Sequence, residues 1–94
     1  MKIPRQLKIG GILYNIVFKD THRGEQKMHC GYCNTENCEI TLDNTLDIQA
    51  QESTLIHEVI EAINYNNNLN LKHNQIMVLE NNLYQVLKDN NLLK

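Results

Sequence analysis

Leu7 and Ile9 bracket Lys8, two glycines follow, and a second apolar run extends from Ile12 to Phe18 around the polar Asn15. Apolar runs separated by Gly10-Gly11 predict a β-hairpin, because glycine takes the left-handed positions of a two-residue turn without strain. Residues 20–25 are polar and contain Gly24, which reads as a loop. A second hairpin is predicted from residues 27–33 and 38–42, closed by the turn-rich Asn34-Thr35-Glu36-Asn37. Within it Cys38, Ile40 and Leu42 alternate with Glu39, Thr41 and Asp43, the period of a half-buried strand.

After Asp43 the period changes from two to about 3.6. Asp47 is placed to cap a helix over residues 48–66, in which Leu55, Ile56, Val59, Ile60 and Ile63 recur at helical spacing. The run Asn66-Asn67-Asn68 ends it. Asn70 is placed to cap a second helix over residues 71–89, with Ile76, Leu79, Leu83 and Leu87 as its stripe. Strands at about 5–42 and then two helices predict an α+β fold in one domain spanning residues 1–94. Its expected layers are a small antiparallel sheet of about four strands and an antiparallel helix pair.

Composition narrows the function classes. Ninety-four residues with a net charge of −2 are not a globally basic nucleic-acid binder, so nucleic acid is not an expected partner. No apolar stretch approaches the roughly 20 residues that span a bilayer, so no membrane association is expected. The first eight residues lack the apolar core of a secretory signal, and three cysteines suit a reducing compartment. The expected location is therefore the cytoplasm.

The charges are unevenly spread. Residues 28–71 carry no Lys or Arg but hold Glu36, Glu39, Asp43, Asp47, Glu52, Glu58 and Glu61. Such a stretch attracts a metal ion or a basic partner unless lysines from elsewhere fold over it.

The chemistry concentrates in His57-Glu58-Val59-Ile60-Glu61. Residues four apart share a helix face, so the His57 imidazole and the Glu61 carboxylate can converge on one point. Glu58 lies about 100° around the helix, the offset that sets a carboxylate beside metal-activated water in H-E-x-x-H enzymes. Glu61 replaces the second histidine, and zinc accepts imidazole nitrogen and carboxylate oxygen at similar distances of about 2.0–2.2 Å. The same residues would also suit a solvated polar face.

A third ligand would have to come from elsewhere in the chain. His73, in the first turn of the second helix, is one candidate, or else a capping or surface histidine. Glu80 could be a direct ligand, an acceptor that orients a histidine, or the edge of the apolar stripe. Two carboxylates with one histidine would neutralise zinc and leave its water less acidic, which favours His73 as ligand and Glu80 as helper. A competing site is His29, Cys30, Cys33 and Cys38, four N/S donors within ten residues that either hold zinc or stand as reduced thiols.

The stretch from Thr54 through His57-Glu58-Val59-Ile60-Glu61 to Asn64, followed by Leu69-Asn70-Leu71-Lys72-His73 and Leu83-Tyr84-Gln85-Val86-Leu87, resembles small phage- and prophage-encoded proteins of minimal gluzincin-like metallopeptidase type. The resemblance runs from Lys8 to Asn90. It implies zinc on His57 and Glu61 with His73 as third ligand, and Glu58 as general base. The chain departs from the larger enzymes in having Glu61 where they have histidine, and in lacking their substrate-binding lobes. Two functions follow as expectations. One is zinc-dependent hydrolysis of a peptide. The other is a non-catalytic phage accessory or anti-defence role in the host cytoplasm, binding a host protein through the acidic central surface.

Overall fold

The computed structural model describes residues 1–21 and 30–93. Gly10 and Gly11 have φ of +57° and +84°, so the two-residue turn is the left-handed one the glycines predict. It joins β1 (Gln6–Ile9) to β2 (Ile12–Lys19), which pair antiparallel with Ile9 opposite Ile12. The second hairpin joins β3 (Gly31–Asn34) to β4 (Glu39–Asp43). Its turn is tied by the Asn34 side chain, whose Oδ1 accepts from the backbone N–H of Glu36 and of Asn37 at 3.0 and 3.1 Å. Residues 27–29, expected to begin this hairpin, lie outside the described residues.

The sheet departs from the expected antiparallel arrangement. Its order is β1-β2-β4-β3, and β2 and β4 run parallel with Asn15 opposite Glu39 and Lys19 opposite Asp43. Burial explains the insertion. Ile40 and Leu42 of β4 are both fully buried, whereas β3 offers Gly31 and Asn34 and gains little from a central place. The more apolar strand takes the centre, and β3 becomes an edge.

Asp47 caps α1 (Ile48–Asn67) as expected, its Oδ1 accepting from the Ala50 N–H at 2.8 Å. The helix ends at Asn68 in the left-handed conformation, with the Leu69 N–H bonded back to the Asn64 carbonyl. Helix α2 (His73–Asp89) begins later than expected, and Asn70 is not its cap. Asn70 has φ of +63°, and the first turn is instead closed by the Gln75 side chain, whose Oε1 accepts from the Lys72 N–H at 2.8 Å. Between the helices Asn64 grips the loop twice. Its Oδ1 accepts from the Leu71 N–H at 2.9 Å and its Nδ2 donates to the Leu71 carbonyl at 3.3 Å.

The core lies between sheet and α1, where Ile9, Tyr14, Ile16, Ile40 and Leu42 meet Leu55 and Ala62. Among the described elements helix α2 packs on α1 alone, and Ile76 is its one fully buried side chain. Leu79 and Leu83, expected in the buried stripe, are 40% and 44% exposed. The α1 face carrying Thr54, His57, Glu58 and Glu61 is not a solvated surface, since Thr54 and Glu58 are buried. No helix among the described residues is long and apolar enough to cross a membrane.

Candidate metal centre

Two elements, β3 and α2, converge on the polar face of α1. Edge strand β3 comes close because Gly31 has no side chain. A Cβ there would stand 2.5 Å from the Thr41 carbonyl oxygen and 2.8 Å from the Thr54 methyl. On the other flank the Asn64 clamp fixes the loop, so the first residue of α2, His73, is delivered beside His57. Their rings meet edge to face with centroids 5.6 Å apart. Between strand and helices lies an open cleft of about 520 Å³ bordered by Tyr32, Cys33 and Tyr65. A smaller recess of about 270 Å³ reaches towards Met77, and both spaces share Glu58 and the two histidines.

His57, Glu61 and His73 each offer a ligand atom, all within 4.8 Å of one another. Tetrahedral zinc with arms of about 2.0–2.1 Å needs its ligand atoms about 3.3 Å apart. His57 Nε2 and Glu61 Oε2 already stand at 3.6 Å, close to that spacing. Glu80 stands behind His57, outside the group of His57, Glu61 and His73. Its Oε1 lies 2.8 Å from His57 Nδ1, and a carboxylate can only accept, so Nδ1 carries the proton and Nε2 presents its lone pair to the cleft. The Ser53 hydroxyl donates to the other oxygen of Glu80 and holds that carboxylate in place. This is the arrangement that fixes ring orientation in metal-binding histidines.

Glu58 differs from every other carboxylate here. It is 5% exposed and makes no hydrogen bond among the described residues, yet it borders both spaces. Burial pushes its carboxyl up to about 7, with Glu61 and Glu80 adding to the effect and His57 opposing it. Nearby, the Cys33 thiol is pushed up to about 11, first by burial and then by Glu58, Glu61 and Cys38. A thiol held protonated is a poor metal ligand.

The competing cysteine site does not assemble among the described residues. Cys30, Cys33 and Cys38 are free thiols, no cluster of them reaches metal-binding spacing, and His29 lies outside the described residues. The acidic central stretch is partly turned inward, while Glu36 and Asp47 stay exposed. Asp43, Glu52 and Glu58 are buried, and Glu52 is met by the amino terminus at 3.3 Å and by Lys88 at 3.2 Å. The Tyr84 hydroxyl donates to the same Glu52 oxygen at 2.6 Å.

Sequence reading singled out His57, Glu58, Glu61, His73 and Glu80, and the fold gathers all five. It missed Gly31, Ser53 and Asn64, which shape the site through partners far along the chain. Asn64 alone left a faint trace, as an amide on the last turns of a helix before a short loop. No protein-family model, curated protein or solved structure matches this chain.

Proposed function

We propose that this protein is a zinc-dependent hydrolase of minimal metallopeptidase type, with His57, Glu61 and His73 holding the metal and Glu58 acting as general base. The observation that carries the reading is the juxtaposition of a group of three possible ligands with a buried carboxylate that makes no hydrogen bond among the described residues, in the same cleft. Held by His57, Glu61 and His73, zinc would lower the pKa of water towards about 7 and polarise a carbonyl. Glu58 accepts the proton of the attacking water, and burial keeps its basicity close to neutral, where a general base is most effective. Glu80 and Ser53 hold the His57 ring so that Nε2 faces the cleft.

A peptide is the favoured substrate because β3 pairs only with β4 among the described strands, so its other edge offers backbone groups to an extended chain beside the ligands. A reducing cytoplasm suits the three free cysteines.

The test is metal content in protein purified without added metal or a histidine tag. About one zinc per chain is expected, lost in His57→Ala. Glu58→Gln should keep the metal and lower hydrolysis of a peptide library by ~100-fold or more. Full zinc in His57→Ala, with loss in Cys30→Ser/Cys33→Ser, would move the metal to the cysteines and defeat the reading.

A further inference from the structure

Helix α2 turns one flank, with His73 and Glu80, to the cleft and its inner face, with Ile76, to α1. Its back carries Val78, Asn82 and Val86, four residues apart and so in line along the helix. Val78 is 59% exposed and Val86 45%, and Leu79 and Leu83 extend the apolar surface beside them. This back is nearly free of charge. Glu80 is turned to His57 and Ser53, and Lys88 to Glu52 and Tyr84, which leaves Asp89 with its partner Gln85 at the end of the helix.

The stripe reads the same from either end, valine, asparagine, valine. We propose that α2 docks against α2 of a second copy of this chain, antiparallel about a two-fold axis through Asn82. A two-fold contact requires a self-complementary surface, in which one residue meets a second and the second meets the first. With the axis at Asn82, Val78 of each copy faces Val86 of the other, and the two Asn82 amides meet at the centre. Each Asn82 donates one N–H to the Val78 carbonyl of its own helix at 2.8 Å, which leaves a second N–H and the Oδ1 for its twin. The ends agree as well. Asp89 falls opposite Gln75, whose Oε1 is engaged at the helix start but whose NH₂ is free to donate to a carboxylate. A parallel pairing would set Asp89 against its own copy and forfeit that match. A charged partner finds only Asp89 to pair with on this surface, whereas a second copy in this register meets no like-charge repulsion.

The contact is small. A helix of 17 residues is about 25 Å long, and one such face falls short of the roughly 800 Å² per partner of a standard interface. The dimer is therefore weak and reversible. Both clefts stay open, because the ligands lie on the opposite flank of α2.

Sedimentation velocity over about 1 to 500 µM should show a reversible monomer–dimer equilibrium. Val78→Glu sets an unpaired carboxylate against the apolar Val86 of the other copy and should weaken association by ~100-fold or more. Adding Val86→Lys supplies the opposing charge in the antiparallel register alone, so the double variant should return to within ~10-fold of the original. Both positions are exposed, so circular dichroism of each variant should match the parent protein. A monomer at every concentration overturns the proposal, as does dimerisation untouched by Val78→Glu. Failure of the folded double variant to recover overturns the antiparallel register.

Discussion

Glu58→Gln in the metal-free protein should make the fold more stable, and only at high pH. Glu58 is 5% exposed, and its carboxyl is pushed up from 4.5 to about 7. Between those pH values the folded chain holds a proton that the unfolded chain has released. Stability therefore falls as pH rises through that window and stays low above it. A rise of that size corresponds to about 3 kcal/mol of stability lost by pH 8. Glutamine has nearly the same shape and never ionises, so the variant escapes the loss. In a chain of this length about 3 kcal/mol shifts the melting temperature by about 10 to 20 °C. Glu52 works in the opposite sense. Burial tends to raise its carboxyl, but hydrogen bonds from Tyr84, Lys88 and the amino terminus win and lower it, so its contribution disappears as pH falls. That term is common to both proteins and cancels in the comparison. The assay is urea or thermal unfolding in a chelator from pH 4 to 9, parent against variant. The two curves should coincide near pH 4 and separate steadily up to pH 8. A difference that does not change with pH would show that Glu58 carries no buried charge and would refute the reasoning.

Two further outcomes follow from the site. His73→Ala should abolish tight zinc binding, whereas Glu80→Gln should weaken it by about 10- to 100-fold, because Glu80 only orients the His57 ring; zinc titration against a chromophoric chelator measures both, and the reverse order would make Glu80 the ligand. Gly31→Ala should lower stability by about 1 to 3 kcal/mol in urea unfolding, since its Cβ meets a backbone oxygen of the neighbouring strand, and an unchanged midpoint would mean that β3 does not pack as described.

What the chain announces about itself is local. Gly10-Gly11 and Asp47 declare a turn and a cap because backbone geometry within four residues decides both. The parallel pairing of β2 with β4 leaves no comparable mark, because Asn15 and Glu39 meet only after the chain has compared the burial of two hairpin arms. Asn70 misleads for a related reason. Asparagine serves equally as a helix cap and as a left-handed loop residue, and the Asn64 clamp on Leu71 decides between them from outside the loop. In the site, the spacing of His57 and Glu61 is a helical fact and needs no fold to be seen. The role of Glu80 becomes legible only when Ser53 and His57 are found beside it, 27 and 23 residues away.

The Asn64–Leu71 grip also bears on the order in which the molecule assembles. His57, Glu58, Glu61, His73 and Glu80 all lie on one helical hairpin whose loop this grip closes. The Asn64–Leu71 contact spans only 7 residues, so the helical hairpin can zip from its loop at little entropic cost, whereas the β2–β4 pairing joins residues as far apart as Asn15 and Glu39. The helical hairpin can thus gather His57, Glu61 and His73 from its loop outward, before β3 walls the cleft. On the proposed reading, zinc meets these residues before a cleft exists to screen what approaches it.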